Sequence, residues 1–156
     1  MSFSALIDQY AAGPEVLARA VKGMTRAQLT ARPIPGKWST LEVVAHIADF
    51  EPILAERMMR VISHERPLLL VADENLFAAT LKYQDRDLDE ELAVIAAMRK
   101  KMTRVLKGLA PETALRSGIH SFKGLVSLEA VLTSNVSHIP HHIPFIEEKR
   151  KALGVS

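Results

Sequence analysis

Apolar residues return every third or fourth position along almost the whole of this 156-residue chain, and β-branched alternation over a strand length is absent outside short runs. That period lines one stripe of a helix with apolar side chains, so the chain is restricted to packed helices. Leu6, Ile7, Tyr10, Leu17 and Val21 mark the first such face, over Ser4 to Lys22, and Gly13-Pro14 is expected to kink or break it. Thr25 with Gln28 suits a short capped turn of helix. The segment Arg32-Pro33-Ile34-Pro35-Gly36 is a loop, because each proline lacks an amide hydrogen and restricts the residue before it. Ser39 and Glu42 then form an S-x-x-E capping box that opens a helix running to about Ser63.

Arg66 to Leu70 reads as a crossover, followed by a short helix over Asp73 to Lys82. A third long helix is expected from Asp87 or Asp89 to Gly108, acidic at its start and basic at its end as the helix dipole favours. Leu109 to Gly124 reads as a loop, and Ser127 caps a last helix whose apolar spacing runs from Leu128 to Ala152, with Gly154 as its stop. The expected fold is all-α: a four-helix bundle with a long middle crossover carrying a short extra helix, one domain over residues 1–156. No internal repeat or low-complexity segment interrupts it.

Composition narrows the function classes. With 48% hydrophobic and 24% charged residues the chain belongs with globular proteins, and 156 residues suffice for one substantial core. Twenty basic and eighteen acidic side chains are interspersed, which argues against nucleic acid as a partner. No run reaches the roughly 18 apolar residues of a membrane span, and residues Met1 to Tyr10 carry neither a basic region nor an apolar secretory core, so a cytoplasmic protein is expected. The lack of cysteine removes disulfides, thiolate metal ligands and any thiol nucleophile belonging to the chain. A soft nucleophile would have to arrive with the substrate.

Chemistry concentrates in Ser-His-Ile-Pro-His-His-Ile, which holds His138, His141 and His142. On a helix His138 and His142 stand about 40° apart and His138 and His141 about 60° apart on the other side, so either pair could share an ion. Pro140 and Pro144 should bend that helix and make the wheel approximate. His46, among Val43, Val44 and Ile47 in the second turn after the capping box, is the natural third nitrogen. Three imidazoles holding an ion would leave coordination positions open for water or substrate.

Pro35-Gly36-Lys37-Trp38-Ser39, then Glu42 and His46, then His138-Ile-Pro-His-His142 with Phe145-Ile146 and Arg150 resemble the DinB-like superfamily of small bacterial helical bundles. Asp73-Glu74-Asn75 and the Gly118-Ile119-His120 turn extend the likeness over nearly the whole chain. The resemblance implies a divalent metal held by one histidine of the second helix and an i, i+4 pair of the last, here His46, His138 and His142. It also implies a homodimer, and a superfamily that includes thiol-dependent transferases and isomerases using mycothiol or bacillithiol.

A histidine-only site favours zinc or nickel over magnesium or calcium. The expected function is a metal-dependent enzyme that activates water or a low-molecular-weight thiol, hence a hydrolase or thiol S-transferase acting on a small molecule. The alternative is a stress-related metal-binding bundle in which the ion is structural, and a third reading has the histidines satisfying one another with no metal. Other residues read more plainly. Trp38 is expected to pack as a staple at the helix start, and Met58, Met59, Met98 and Met102 to fill the core. His64 and Glu65 form a solvated helix end, and Lys149-Arg150-Lys151 suits a helix C-terminus without a partner. Asp49 and Glu51 are candidates for an acid or base, with solvent exposure or a hydrogen bond orienting a ligand as the plainer reading, and His120 is a candidate for reaching the bundle mouth.

Overall fold

The computed structural model describes residues 2–155. Four long helices carry the fold: α1 (Phe3–Val21), α3 (Thr40–Ser63), α5 (Leu88–Lys107) and α6 (Leu128–Ala152), with α2 (Arg26–Thr30) and α4 (Glu74–Thr80) as short helices between them. Their starts follow the sequence closely. Thr25 and Gln28, and again Ser39 and Glu42, complete reciprocal capping boxes, while Asp87 and Ser127 cap α5 and α6 with single side chains. Helix α1 lies against both α5 and α6, and α3 also lies against both, so α1 and α3 face each other diagonally across a four-helix bundle. No helix among the described residues is long and apolar enough to cross a membrane.

Pro14, Pro140 and Pro144 interrupt neither of the long helices in which they lie, so the break expected as one outcome at Gly13-Pro14 does not occur. Helix α1 passes through Gly13-Pro14 without a break. The carbonyl of Tyr10, which loses its partner because Pro14 has no amide, accepts a bond from Arg99 Nη1 at 3.2 Å. Gly13 makes room for that guanidinium, since a Cβ there would stand 2.1 Å from Nη1. Helix α6 likewise continues through Pro140 and Pro144 to Ala152.

The stretches read as crossover and loop hold a small sheet, which is the main departure from an all-helical chain. Strands β1 (Leu68–Leu69), β2 (Ser117–His120) and β3 (Gly124–Ser127) lie in that order, β1 parallel and β3 antiparallel to β2. Strands of two to four residues are too short to display a period of two, so the alternation rule had nothing to detect. Gly118 lets β1 close on β2, because a Cβ there would sit 3.0 Å from Leu69 Cδ1. Leu69 and His120 point inward, whereas Leu68, Ile119 and Leu125 form one outward row across the three strands, exposed by 65%, 41% and 66%.

The core has two main apolar clusters. One joins Ile7, Tyr10, Met58, Val61, Met102 and Leu132, and the other joins Leu17, Val44, Ile47, Ile95, Ile139 and Ile146. Met58 and Met102 are fully buried, with Met59 and Met98 packed at the edge. A charged group crosses the bundle's middle: Arg99, fully buried, donates Nε to Glu51 Oε1 at 2.7 Å and Nη2 to the Asn135 carbonyl at 3.0 Å, and lies over the Tyr10 ring. Together with the Tyr10 carbonyl these contacts tie α5 to α1, α3 and α6. Glu51 is therefore not in solvent, and it orients no histidine. The C-terminal basic run is also more engaged than expected. Lys149 is buried with its ammonium on the Phe145 carbonyl, and Arg150 donates to the carbonyls of Ala20 and Lys22 at the end of α1.

Candidate metal centre

His46 comes from the second turn of α3, and His138 and His142 from adjacent turns of α6, which packs against α3. The capping box starts α3 at a defined residue and so sets which face His46 occupies. Because α6 stays helical through its prolines, the i, i+4 pair projects from one face toward it. The three ring centroids form a nearly equilateral triangle with sides of 4.9, 5.0 and 5.1 Å, and each ring is tilted 71–79° to the others. One ligating atom from each residue lies within 4.8 Å of the other two.

The geometry suits an ion of zinc's size. His46 Nε2 and His138 Nε2 are 3.1 Å apart. Two nitrogens bound tetrahedrally to one zinc at 2.0–2.1 Å would sit roughly 3.3 Å apart. Burial, and then the charges of neighbouring imidazoles, holds His46 down to about 4 and His142 to about 4, while His138 is lowered to about 3. All three rings are thus neutral near pH 7, the state in which a nitrogen lone pair is available.

The rings are held by packing. Phe50 lies 4.6 Å from His46 and 6.1 Å from His138 between ring centroids, and Trp38 lies 5.4 Å from His46. The Nδ1 atoms of His46 and His138, which face away from the shared point, are buried without a hydrogen-bond partner. Ligating histidines usually donate this second nitrogen to a carboxylate or carbonyl, so the site lacks that common orienting contact. Trp38 does pack on the bundle, as expected, and part of what it packs against is the His46 ring.

The remaining candidates divide clearly. His141 is exposed at the rim, its ring 5.1 Å from His142, and is outside the group of three. Asp49 pairs with Arg86 at 3.3 Å, and Tyr83 beside it is pushed up by burial first and then by the Asp49 charge. His120 is buried under the β2–β3 hairpin, where its Nδ1 accepts the amides of Phe122 and Lys123, and it does not join the cluster. His64 ends α3 exposed, as expected. Phe50 was missed, although its position one turn after His46 on the same helix was the available signal. Arg99 was missed because it opens an Arg-Lys-Lys run, which resembles a solvated face.

A mouth of about 270 Å³ opens beside the cluster, bounded by Trp38, Val43, Glu74, His141, His142 and Phe145. A larger groove of about 550 Å³ runs past Ile53, Arg57, Arg60 and Leu70, but no histidine lines it, and the chemistry belongs with the smaller one.

Known proteins agree with this architecture. The chain is 28% identical over 144 residues to a Bacillus subtilis protein named "Putative metal-dependent hydrolase YfiT", covering 92% of this chain and 81% of that one. It is 26% identical to the similarly named OB0782 of Oceanobacillus iheyensis, covering 88% and 81%. A solved structure titled "YfiT from Bacillus subtilis is a probable metal-dependent hydrolase with an unusual four-helix bundle topology" superposes with a TM-score of 0.91 at 27% identity, covering 99% of this chain and 89% of that one. A family model described as the DinB superfamily matches residues 9–146. With helix order, bundle topology and matched length in agreement, the chain belongs to the DinB superfamily.

Proposed function

We propose that this chain is a cytoplasmic metal-dependent enzyme holding zinc or nickel on His46, His138 and His142, and acting on a small molecule by hydrolysis or by transfer of a low-molecular-weight thiol. The observation that carries the reading is the triangle of three neutral imidazoles, one of which, His142, lines a mouth. The metal-dependent description of the relatives supports it. A divalent ion there would supply Lewis acidity and lower the pKa of an incoming water or thiol.

The chain's own residues do the rest. Phe50 and Trp38 hold the rings in place and exclude water from the inner side of the cluster. Val43 and Phe145 give the mouth apolar walls, and Glu74 and Glu148 on its rim provide carboxylates in reach of solvent. His141, next to His142 and exposed, is placed to carry protons between the site and bulk water.

Metal analysis of untagged protein tests the reading. About one ion per chain is expected after incubation with zinc or nickel, and near-zero content in His46→Ala and His142→Ala. Near-zero metal in the parent protein would sink it. Turnover is then sought with thiol transfer onto electrophiles and with ester and amide hydrolysis.

A structural ion is the second reading. It is favoured by the engagement of Asp49 with Arg86 and of Glu51 with Arg99, which leaves no carboxylate hydrogen-bonded to a cluster ring. Full metal content and metal-dependent stability without turnover in either screen would select it. A homodimer belongs to the same proposal, with the outward Leu68, Ile119 and Leu125 row as its apolar contact.

A further inference from the structure

A second pocket, of about 150 Å³, lies between α3, α6 and the β2–β3 hairpin. Its polar lining is rich in donors. Asn135 is fully buried and neither its Oδ1 nor its Nδ2 has a hydrogen-bond partner. Arg57 donates Nη2 to the Leu70 carbonyl at 2.5 Å, while its Nε is buried without a partner. The side chain makes no ion pair among the described residues.

His120 adds a third donor. Its Nδ1 accepts the Phe122 and Lys123 amides at 3.1 and 3.3 Å, so in the neutral ring the proton sits on Nε2. Burial first, then the Arg57 and Lys123 charges, lowers the pKa of this ring and keeps it neutral. Lys123 itself stands at the rim. No acidic side chain is among the described residues lining the pocket, and the remaining wall includes Leu54, Val126 and Val131.

A buried amide with four unused hydrogen-bonding sites and a buried guanidinium nitrogen without an acceptor are each costly unless something meets them. An oxyanion meets the guanidinium nitrogen and the amide's N–H donors, leaving Asn135 Oδ1 to the pocket's remaining donors or to water. The apolar wall and the volume, about that of a cavity that admits benzene, favour an anion on a short hydrocarbon body over a fully polar one.

We propose that this pocket binds a small carboxylic acid as its carboxylate, its oxygens taken by Arg57 Nε, the Asn135 amide and the His120 Nε2 proton, and its apolar body lying against Leu54, Val126 and Val131. Such a site is separate from the three-histidine cluster and stands whether or not those histidines hold an ion.

The test titrates the protein as isolated with sodium benzoate, sodium acetate and inorganic phosphate, followed by nuclear magnetic resonance of the side-chain nitrogens. Benzoate should produce saturable shifts at the Asn135 amide and His120 Nε2, with acetate weaker and phosphate weakest. Asn135→Leu keeps the side chain's size and removes its polar atoms, and it should weaken benzoate about tenfold or more. His120→Asn keeps an acceptor for the hairpin amides and removes the Nε2 donor; it should weaken benzoate by a similar factor, and carries the test if Asn135→Leu does not fold. Absence of saturation with benzoate would overturn the proposal, as would tighter binding of phosphate. Shifts confined to His138 and His142 and unchanged in both variants would also overturn it, because the binder would then be the histidine site.

Discussion

Two buried polar groups share the middle of this bundle and have opposite accounts. Arg99 reaches four partners, the Glu51 carboxylate, the carbonyls of Tyr10 and Asn135, and the Tyr10 ring, so its charge is compensated inside the protein. The histidine cluster is surrounded by aromatic rings, and the outer nitrogens of His46 and His138 have no partner among the described residues. A satisfied buried network fixes which helices meet, whereas an unsatisfied one is stability given up where a ligand is to be received. The two regions should therefore respond to substitution with very different magnitude.

The largest effect should come from Arg99→Met, which leaves Glu51 buried and unpaired and should cost about 3–5 kcal/mol in urea unfolding. The double variant Arg99→Met with Glu51→Leu should recover much of that loss. A single-variant loss under about 1 kcal/mol would show that the network is not what joins α5 to its neighbours.

Acid should act mainly on the histidines. Their folded pKa values are about 4, 3 and 4 against an ordinary 6.5, so as pH falls below 6.5 the unfolded chain takes up protons that the folded one refuses. Stability of chelator-treated protein should fall by roughly 3 kcal/mol between about pH 7 and about pH 5, and these groups should add no pH dependence above about pH 7. That figure is below the full value for three fully buried rings, because His138 and His142 are both partly solvated. In His138→Leu the acid slope should shrink.

The same variant gives the sharpest contrast with Arg99. Without metal, His138→Leu should change stability by no more than about 1 kcal/mol, because it removes an unpartnered buried nitrogen and refills the space. Its metal content should nonetheless collapse. A loss as large as that of Arg99→Met would erase the distinction between the two regions. Smallest of all, Leu125→Lys on the outer face of the sheet should leave unfolding within about 0.5 kcal/mol, while sedimentation should show less of the homodimer proposed above.

Much of the bundle could be read from local signals. Thr25 with Gln28, Ser39 with Glu42, and Ser127 each announce a helix start, and each start is where it was expected. The spacing left His138 open to pairing with either His141 or His142, the family resemblance implied His142, and His46 was the candidate partner. The sheet was not legible, because strands of two and four residues hold too few positions for a period to emerge, and the β1–β2 pairing links residues about fifty apart. Arg99 and Lys149 were hidden by charge, since a basic residue beside other basic residues reads as surface until a tertiary partner is known. Asn135 was equally silent. Nothing in a sequence tells a buried asparagine from an exposed one when its helix neighbours suit both.

The guanidinium that answers the Tyr10 carbonyl also bears on the order in which this chain assembles. Pro14 would divide residues 3–21 into two short helices in isolation, each below the length at which helices persist in water. The join is completed by a side chain from α5, nearly ninety residues downstream. The first helix of the sequence should therefore become whole only together with α5, its amides gaining protection from hydrogen exchange with those of α5 as one cooperative unit.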